Sequence, residues 1–93
     1  MNAAAALSQR LDRWLWHARV VKTRTLASTL VADGFVRVNG CRAEAPAQAV
    51  KPGDVLTIAL PARVRVLKVT GILPRRADAS AARHIYESVG AQG

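Results

Sequence analysis

Asn39-Gly40 constrains this chain more than any other pair of its residues. Both positions of a two-residue hairpin loop require positive φ, and Asn-Gly is the pair that adopts it most readily. Phe35 to Val38 alternates in strand fashion before it, and a return strand is expected from Cys41. The residues upstream follow a different period. Leu11, Trp14, Leu15, Ala18 and Val21 fall within an arc of about 120 degrees at helical spacing, which predicts an amphipathic helix with one buried face. Thr23 precedes a second periodic segment, Leu26, Ala27, Leu30 and Val31, and its hydroxyl suits the cap of that helix. Gly34 stands where a left-handed C-terminal residue is wanted, which completes a helical hairpin. Downstream, Lys51-Pro-Gly-Asp54 is a turn into a strand over Val55 to Leu60, and Pro61-Ala62 divides that strand from another over Arg63 to Thr70. Asp78 or Ser80 is expected to cap a terminal helix in which Ala82, Ile85, Tyr86 and Val89 share a face and Arg83 pairs with Glu87. The expected order is α-α-β-β-β-β-α, an α+β chain.

At 93 residues there is room for one domain with a small, mostly aliphatic core, and too little for a two-domain enzyme. Residues 1–9 read as a disordered leader, 10–73 as the domain and 74–93 as a C-terminal helical segment packed on it or extending from it. Lys and Arg total 14 against 6 acidic residues, a net charge of +8. Such a field attracts polyanions, with nucleic acid foremost, and its self-repulsion makes a monomer the expectation. The basic residues are interspersed with apolar ones rather than lined along a strongly amphipathic helix, which argues against a membrane partner. No apolar run approaches the ~20 residues of a span, and Met1 to Ser8 lacks the basic region of a signal peptide, so a cytoplasmic location is expected. Cys41 is the only cysteine, excluding an internal disulfide, and His17 and His84 have no partner at ligand spacing. Neither a metal nor another cofactor is expected.

The candidate site residues gather on the helical hairpin. Trp16 lies outside the apolar arc, on the side of Asp12, Arg13 and Arg19, where it would stack on a base or sit under the strands as a second core aromatic. Trp14 lies inside the arc and belongs to the core. Arg10, Arg13, Arg19, Lys22 and Arg24 lie on or beside the hairpin, and the last two flank a helix N-terminus, whose free N–H groups favour a phosphate. Only Asp12 and Asp33 oppose them there. Asp12 is expected to orient Arg13 or Arg19, or to sit favourably in the first helical turn. With a two-residue loop, Arg37 faces Arg42 across the ladder, and an anion between them would relieve the repulsion. Catalysis has little support: no nucleophile with a base, no paired carboxylates and no glycine-rich phosphate loop are evident. Cys41 reads as a small strand residue.

The run Arg10-Leu-Asp-Arg-Trp-Leu-Trp, the following Ala-Arg, Lys22-Thr-Arg24, a second helix ending at Gly34, and Val36-Arg-Val-Asn-Gly40 resemble the RNA-binding domain named after small-subunit ribosomal protein four, the S4 domain. The resemblance covers about residues 10 to 56. Trp-Leu-Trp, Lys-Thr-Arg, and Arg75-Arg76 with the Ala-rich segment after it are similar to a ribosome-associated heat-shock subgroup of that family. The resemblance implies two helices packed on a small, mostly antiparallel curved sheet. It also implies binding to ribosomal RNA of free large ribosomal subunits that hold a nascent chain on tRNA, and help in their recycling under heat stress. Peptidyl-tRNA is a further expected partner. Carried over by position, the contact set is Arg10, Asp12, Arg13, Trp16, Arg19, Lys22, Thr23, Arg24, Arg37 and Asn39, with Asp12 and Thr23 as organisers; Arg42 joins it from the hairpin argument. The subgroup typically continues into a long charged extension, and this sequence ends at Gly93. The same module delivers pseudouridine synthases and RNA methyltransferases to their substrates, which is the alternative reading, along with a DNA-binding module.

Overall fold

The computed structural model describes residues 8–76 and 78–89. Most of the expected leader lies outside that range, but Gln9 does not: Gln9–Arg10 form strand β1, antiparallel to β4 at Ala49–Val50. This corrects the leader's boundary. The first helix, α1, spans Leu11–His17 and has no side-chain cap at Arg10. Its amides are satisfied by the chain returning from the far side of the hairpin, with Leu11 N–H donating to the Gln48 carbonyl at 2.8 Å and Asp12 N–H to that of Pro46 at 3.0 Å. Helix starts need partners for such groups, and here tertiary backbone supplies them.

Helix α2 spans Arg24–Ala32, and Thr23 caps it as its hydroxyl predicts, accepting from Leu26 N–H at 3.0 Å. Gly34 leaves the helix at φ +87°. Strands β2 (Val36–Val38) and β3 (Cys41–Arg42) then form the hairpin, with Asn39 and Gly40 at φ +53° and +85°. Strands β5 (Val55–Ala59) and β6 (Val64–Val69) follow the two expected runs. With a last strand, β7, at Tyr86–Ser88, the sheet order is β3-β2-β5-β6-β7, antiparallel throughout. Alternation puts Val36, Val38, Leu56, Ile58, Leu67 and Val69 on the buried side, where they meet Leu11, Trp14, Leu15, Ala27 and Val31 from the helical pair.

The terminal helix is not the element expected. Asp78 does cap a helical turn, α3 at Ala79–Ala82, by accepting from Ala81 N–H at 2.9 Å. A 3₁₀ turn follows at Arg83–Ile85, and then Tyr86–Ser88 become strand β7. Its register sets Tyr86 opposite Val69 and Glu87 opposite Lys68, so the expected Arg83–Glu87 helical pair has no helix to carry it. The reason is competition for an edge. Strand β6 presents a row of unpaired N–H and C=O groups, and Ile-Tyr-Glu-Ser-Val is rich enough in β-branched and aromatic residues to fill it.

Between β6 and α3, residues 71–76 run as a strap across α1. Trp14 Nε1–H donates to the Gly71 carbonyl at 3.0 Å, Gln9 Nε2–H to that of Leu73 at 2.9 Å, and Arg76 Nε–H to that of Trp16 at 3.2 Å. His17 Nδ1 lies 2.8 Å from the Leu73 carbonyl; because a carbonyl only accepts, the proton is on Nδ1. Trp14 is fully buried, edge-on to Tyr86, in the core position expected of it.

Candidate RNA interface

Asp12 organises the basic face. It is 1% exposed, yet three side chains reach it, Arg10 from the entrance of α1 and Ser28 and Arg24 from α2. Arg10 grips the carboxylate with Nε at 3.0 Å and Nη2 at 2.9 Å, a planar two-bond pairing. Ser28 Oγ donates from α2 at 2.9 Å, and Arg24 Nε stands 4.0 Å away. Burial alone would push this carboxyl up; the bonds from Arg10 and Ser28 and the charge of Arg10 outweigh it and hold the carboxyl below its ordinary range. The sequence suggested Arg13 or Arg19 as its partner. The residue that grips it is Arg10, because the chain entering α1 folds back along β1 and lays that side chain over the first turn. Asp12 thereby ties the entrance of α1 to the flank of α2 and fixes Arg10 and Arg24.

At the other end of α1, Val20 N–H donates to Leu15 O and Arg19 N–H to Trp16 O, both at 3.0 Å. This is the double closure of a Schellman motif, with Arg19 at the left-handed position, φ +61°. Arg19 is exposed there, beside Lys22, also exposed, and Thr23, whose side chain is committed to the α2 cap. Arg13 and Arg24 are half-buried.

Trp16 is half-buried and packs against the core's margin. The guanidinium of Arg76 lies over its ring, 5.7 Å from the centroid, and the imidazole of His17 lies 5.5 Å from it at 43°. Neither sequence alternative for Trp16 described this arrangement: an arginine from the strap, not a strand, covers it. His17 is buried, which lowers its pKa, and the charges of Arg13, Arg24 and Arg76 lower it further against the opposing bond to Leu73. Arg76 is the residue that sequence reasoning missed as a site candidate. Its partner lies 60 positions away, so no local pattern joins the two; Arg75-Arg76 carried weight only as part of a family resemblance. Ser28 was missed for a similar reason.

The hairpin keeps its expected register, Arg37 opposite Arg42 and Val38 opposite Cys41. The two guanidinium groups do not both stand over the ladder, however. Arg42 turns to the C-terminus of α2, with Nη2 3.4 Å from the Ala32 carbonyl and its head group against Gly34. A cation at that end is favourable, so the fold itself relieves the repulsion for which the sequence reading required an external anion. Arg37 remains exposed. Asn39 faces inward to the Lys51–Asp54 turn: its Nδ2–H donates to Asp54 Oδ1 at 3.1 Å and its Oδ1 accepts from Val55 N–H at 2.9 Å. Asp54 also accepts from Lys51 N–H at 3.0 Å and Nζ at 3.3 Å. Burial would raise its pKa; the bonds from Asn39 and Lys51 lower it. Asn39 is thus a brace of the hairpin.

A helical pair that displays cations around one buried carboxylate, packed on a small antiparallel sheet with a tight hairpin at its edge, is the architecture of an RNA-binding module. The S4 domain model matches residues 9–56, and the chain belongs to that family. Within the family it is similar to Heat shock protein 15. It is 38% identical to that protein of Escherichia coli (strain K12) over 87 residues, which is 94% of this chain and 65% of the relative, so the chain spans about two thirds of that length. The trimeric structure of Vibrio cholerae Heat Shock Protein 15 superposes with a TM-score of 0.83 at 34% identity, covering 88% of this chain and 82% of that one. The RQC P-site tRNA stabilizing factor of Bacillus subtilis is 45% identical over 49 residues, 53% of this chain and 56% of the factor. Among the described residues no three His, Cys, Asp or Glu side chains are grouped to hold a metal ion. No helix among them is long and apolar enough to cross a membrane.

Proposed function

We propose that this protein is a non-catalytic, cytoplasmic RNA-binding protein that acts on structured ribosomal RNA of the large subunit. The observation that carries this reading is the face built on Asp12, where one buried acid fixes Arg10 and Arg24 beside Arg13, Arg19 and Lys22. Phosphate oxygens are the natural partners of such a set. Arg37, exposed on the hairpin, and Arg42, at the α2 C-terminus, are further proposed contacts, and Thr23 and Asn39 hold the local backbone in place. The A-form major groove is too narrow for side-chain readout, so the target is a junction or loop read by shape and phosphates.

The finer reading is binding to free large subunits that carry a nascent chain on tRNA, in recycling under heat stress, and the relatives' names support its heat-stress and tRNA parts. One relative is a heat shock protein and another stabilises P-site tRNA. Gradient sedimentation of the tagged protein in lysate tests it, with co-migration with free large subunits at low salt as the expected result. Recovery only at the top of the gradient would refute ribosome association. Equal lengths of duplex DNA should compete more weakly than structured RNA. The high charge favours a monomer, whereas the Vibrio cholerae relative is described as trimeric. Light scattering decides between them, a single-chain mass being expected.

A further inference from the structure

We propose that Arg76 is a direct phosphate contact of the RNA surface, extending that surface from the helical hairpin onto the 71–76 strap, outside the residues that match the S4 domain model. The inference rests on the RNA-binding reading above and adds a residue and an element to it.

Three observations carry it. The first is geometry. Arg76 donates only its Nε–H to the Trp16 carbonyl among the bonds described, and its guanidinium carbon stands over the indole 5.7 Å from the centroid, which positions the fork while leaving the Nη groups for another acceptor. The second is position. The Trp16 carbonyl also accepts the Arg19 amide, so Arg76 and Arg19 meet at one atom at the end of α1. Arg13, Arg24 and Arg76 all stand near enough to the buried His17 for their charges to lower its pKa. The third is charge. The ion pairs among the described residues use Asp12 and Asp54, and none includes Arg76. A cation held rigid, half-buried and without an acid, next to other cations, is suited to an external anion. A polyanion fits better than an isolated phosphate, because successive phosphates can reach Arg76 and the neighbouring cations together.

A guanidinium that only pinned the strap would matter for folding and not for the salt dependence of binding. The test therefore measures RNA affinity against salt, together with thermal midpoints, for the parent, Arg76→Gln and Arg76→Lys, using purified large-subunit ribosomal RNA as the probe. Gln keeps a donor for the Trp16 carbonyl and removes the charge; Lys keeps the charge and removes the planar fork. The expected result is that Arg76→Gln makes the log–log slope shallower by about 0.7 to 0.9, so that a fourfold rise in salt costs about threefold less affinity than in the parent. Arg76→Lys should retain the parental slope. A parental slope in Arg76→Gln overturns the proposal. If Arg76→Gln does not fold, Arg76→Met, which keeps an apolar cover over the indole and removes the charge, is read in the same way: a shallower slope supports the contact and a parental slope overturns it. A parent slope near zero would instead remove the RNA-binding reading itself.

Discussion

Both helices of the hairpin close with the same pair of backbone bonds, and the residues at the left-handed position differ: Gly34 ends α2 at φ +87°, Arg19 ends α1 at φ +61°. A side chain at positive φ costs roughly 1 to 2 kcal/mol, which glycine avoids. Gly34 has a second reason to lack a Cβ, since one there would sit 2.9 Å from the Arg42 guanidinium. Gly34→Ala should therefore lower stability by about 1–2 kcal/mol in urea titrations, combining the backbone cost with displacement of Arg42 from the Ala32 carbonyl. At the α1 closure the cost is carried by an exposed arginine, whose proposed RNA contact would give a reason to keep the side chain. Arg19→Gly should hold or raise the urea midpoint while making the RNA salt slope shallower by about 0.7 to 0.9. A lowered midpoint with the slope intact would make Arg19 a structural residue.

Elements whose signals are local were legible in the sequence, and those decided by distant partners were not. The Asn39-Gly40 hairpin, the Thr23 cap, the Gly34 stop and strands β5 and β6 follow from turn chemistry and hydrophobic period within a few residues. So does the buried position of Trp14. The cationic face was legible as a set of residues, but its wiring was not: Asp12 reaches Ser28 and Trp16 reaches Arg76 only because the fold brings α2 and the strap against α1. Strand β7 was misread because Ala82, Ile85, Tyr86 and Val89 satisfy helical spacing while the open edge of β6 determines the outcome. Its placement gives a direct check. The Val89 amide donates to the Val66 carbonyl at 2.9 Å, so hydrogen exchange should show it protected, where a helix end would fray and exchange freely. Ile85, 4% exposed and in contact with Gly71, holds this segment to the core, and Ile85→Ala should cost about 2–4 kcal/mol.

Across the whole molecule, a charge of +8 makes the folded state work against itself, and the acid limb of its stability has two separable parts. His17 has an ordinary value of 6.5 and is held below it in the fold, by burial first and by the surrounding arginines second. Below pH 6.5 the unfolded chain therefore takes up a proton that the folded chain resists, and the unfolded state is favoured. Stability should begin to fall as pH drops below about 6.5 and continue falling until the folded His17 itself titrates. Asp12 and Asp54 behave in the same direction in a lower window. Both carboxyls lie below their ordinary value of 3.8, so the stability they contribute is full above that pH and is lost as pH falls through their folded values. Unfolding midpoints measured from pH 8 to pH 3 should thus decline in two stages. His17→Gln, whose amide still offers a donor to the Leu73 carbonyl, should flatten the stage that begins below pH 6.5 and leave the lower one unchanged. The lower stage should respond instead to Asp54→Asn. A first stage that survives His17→Gln would refute its assignment to His17.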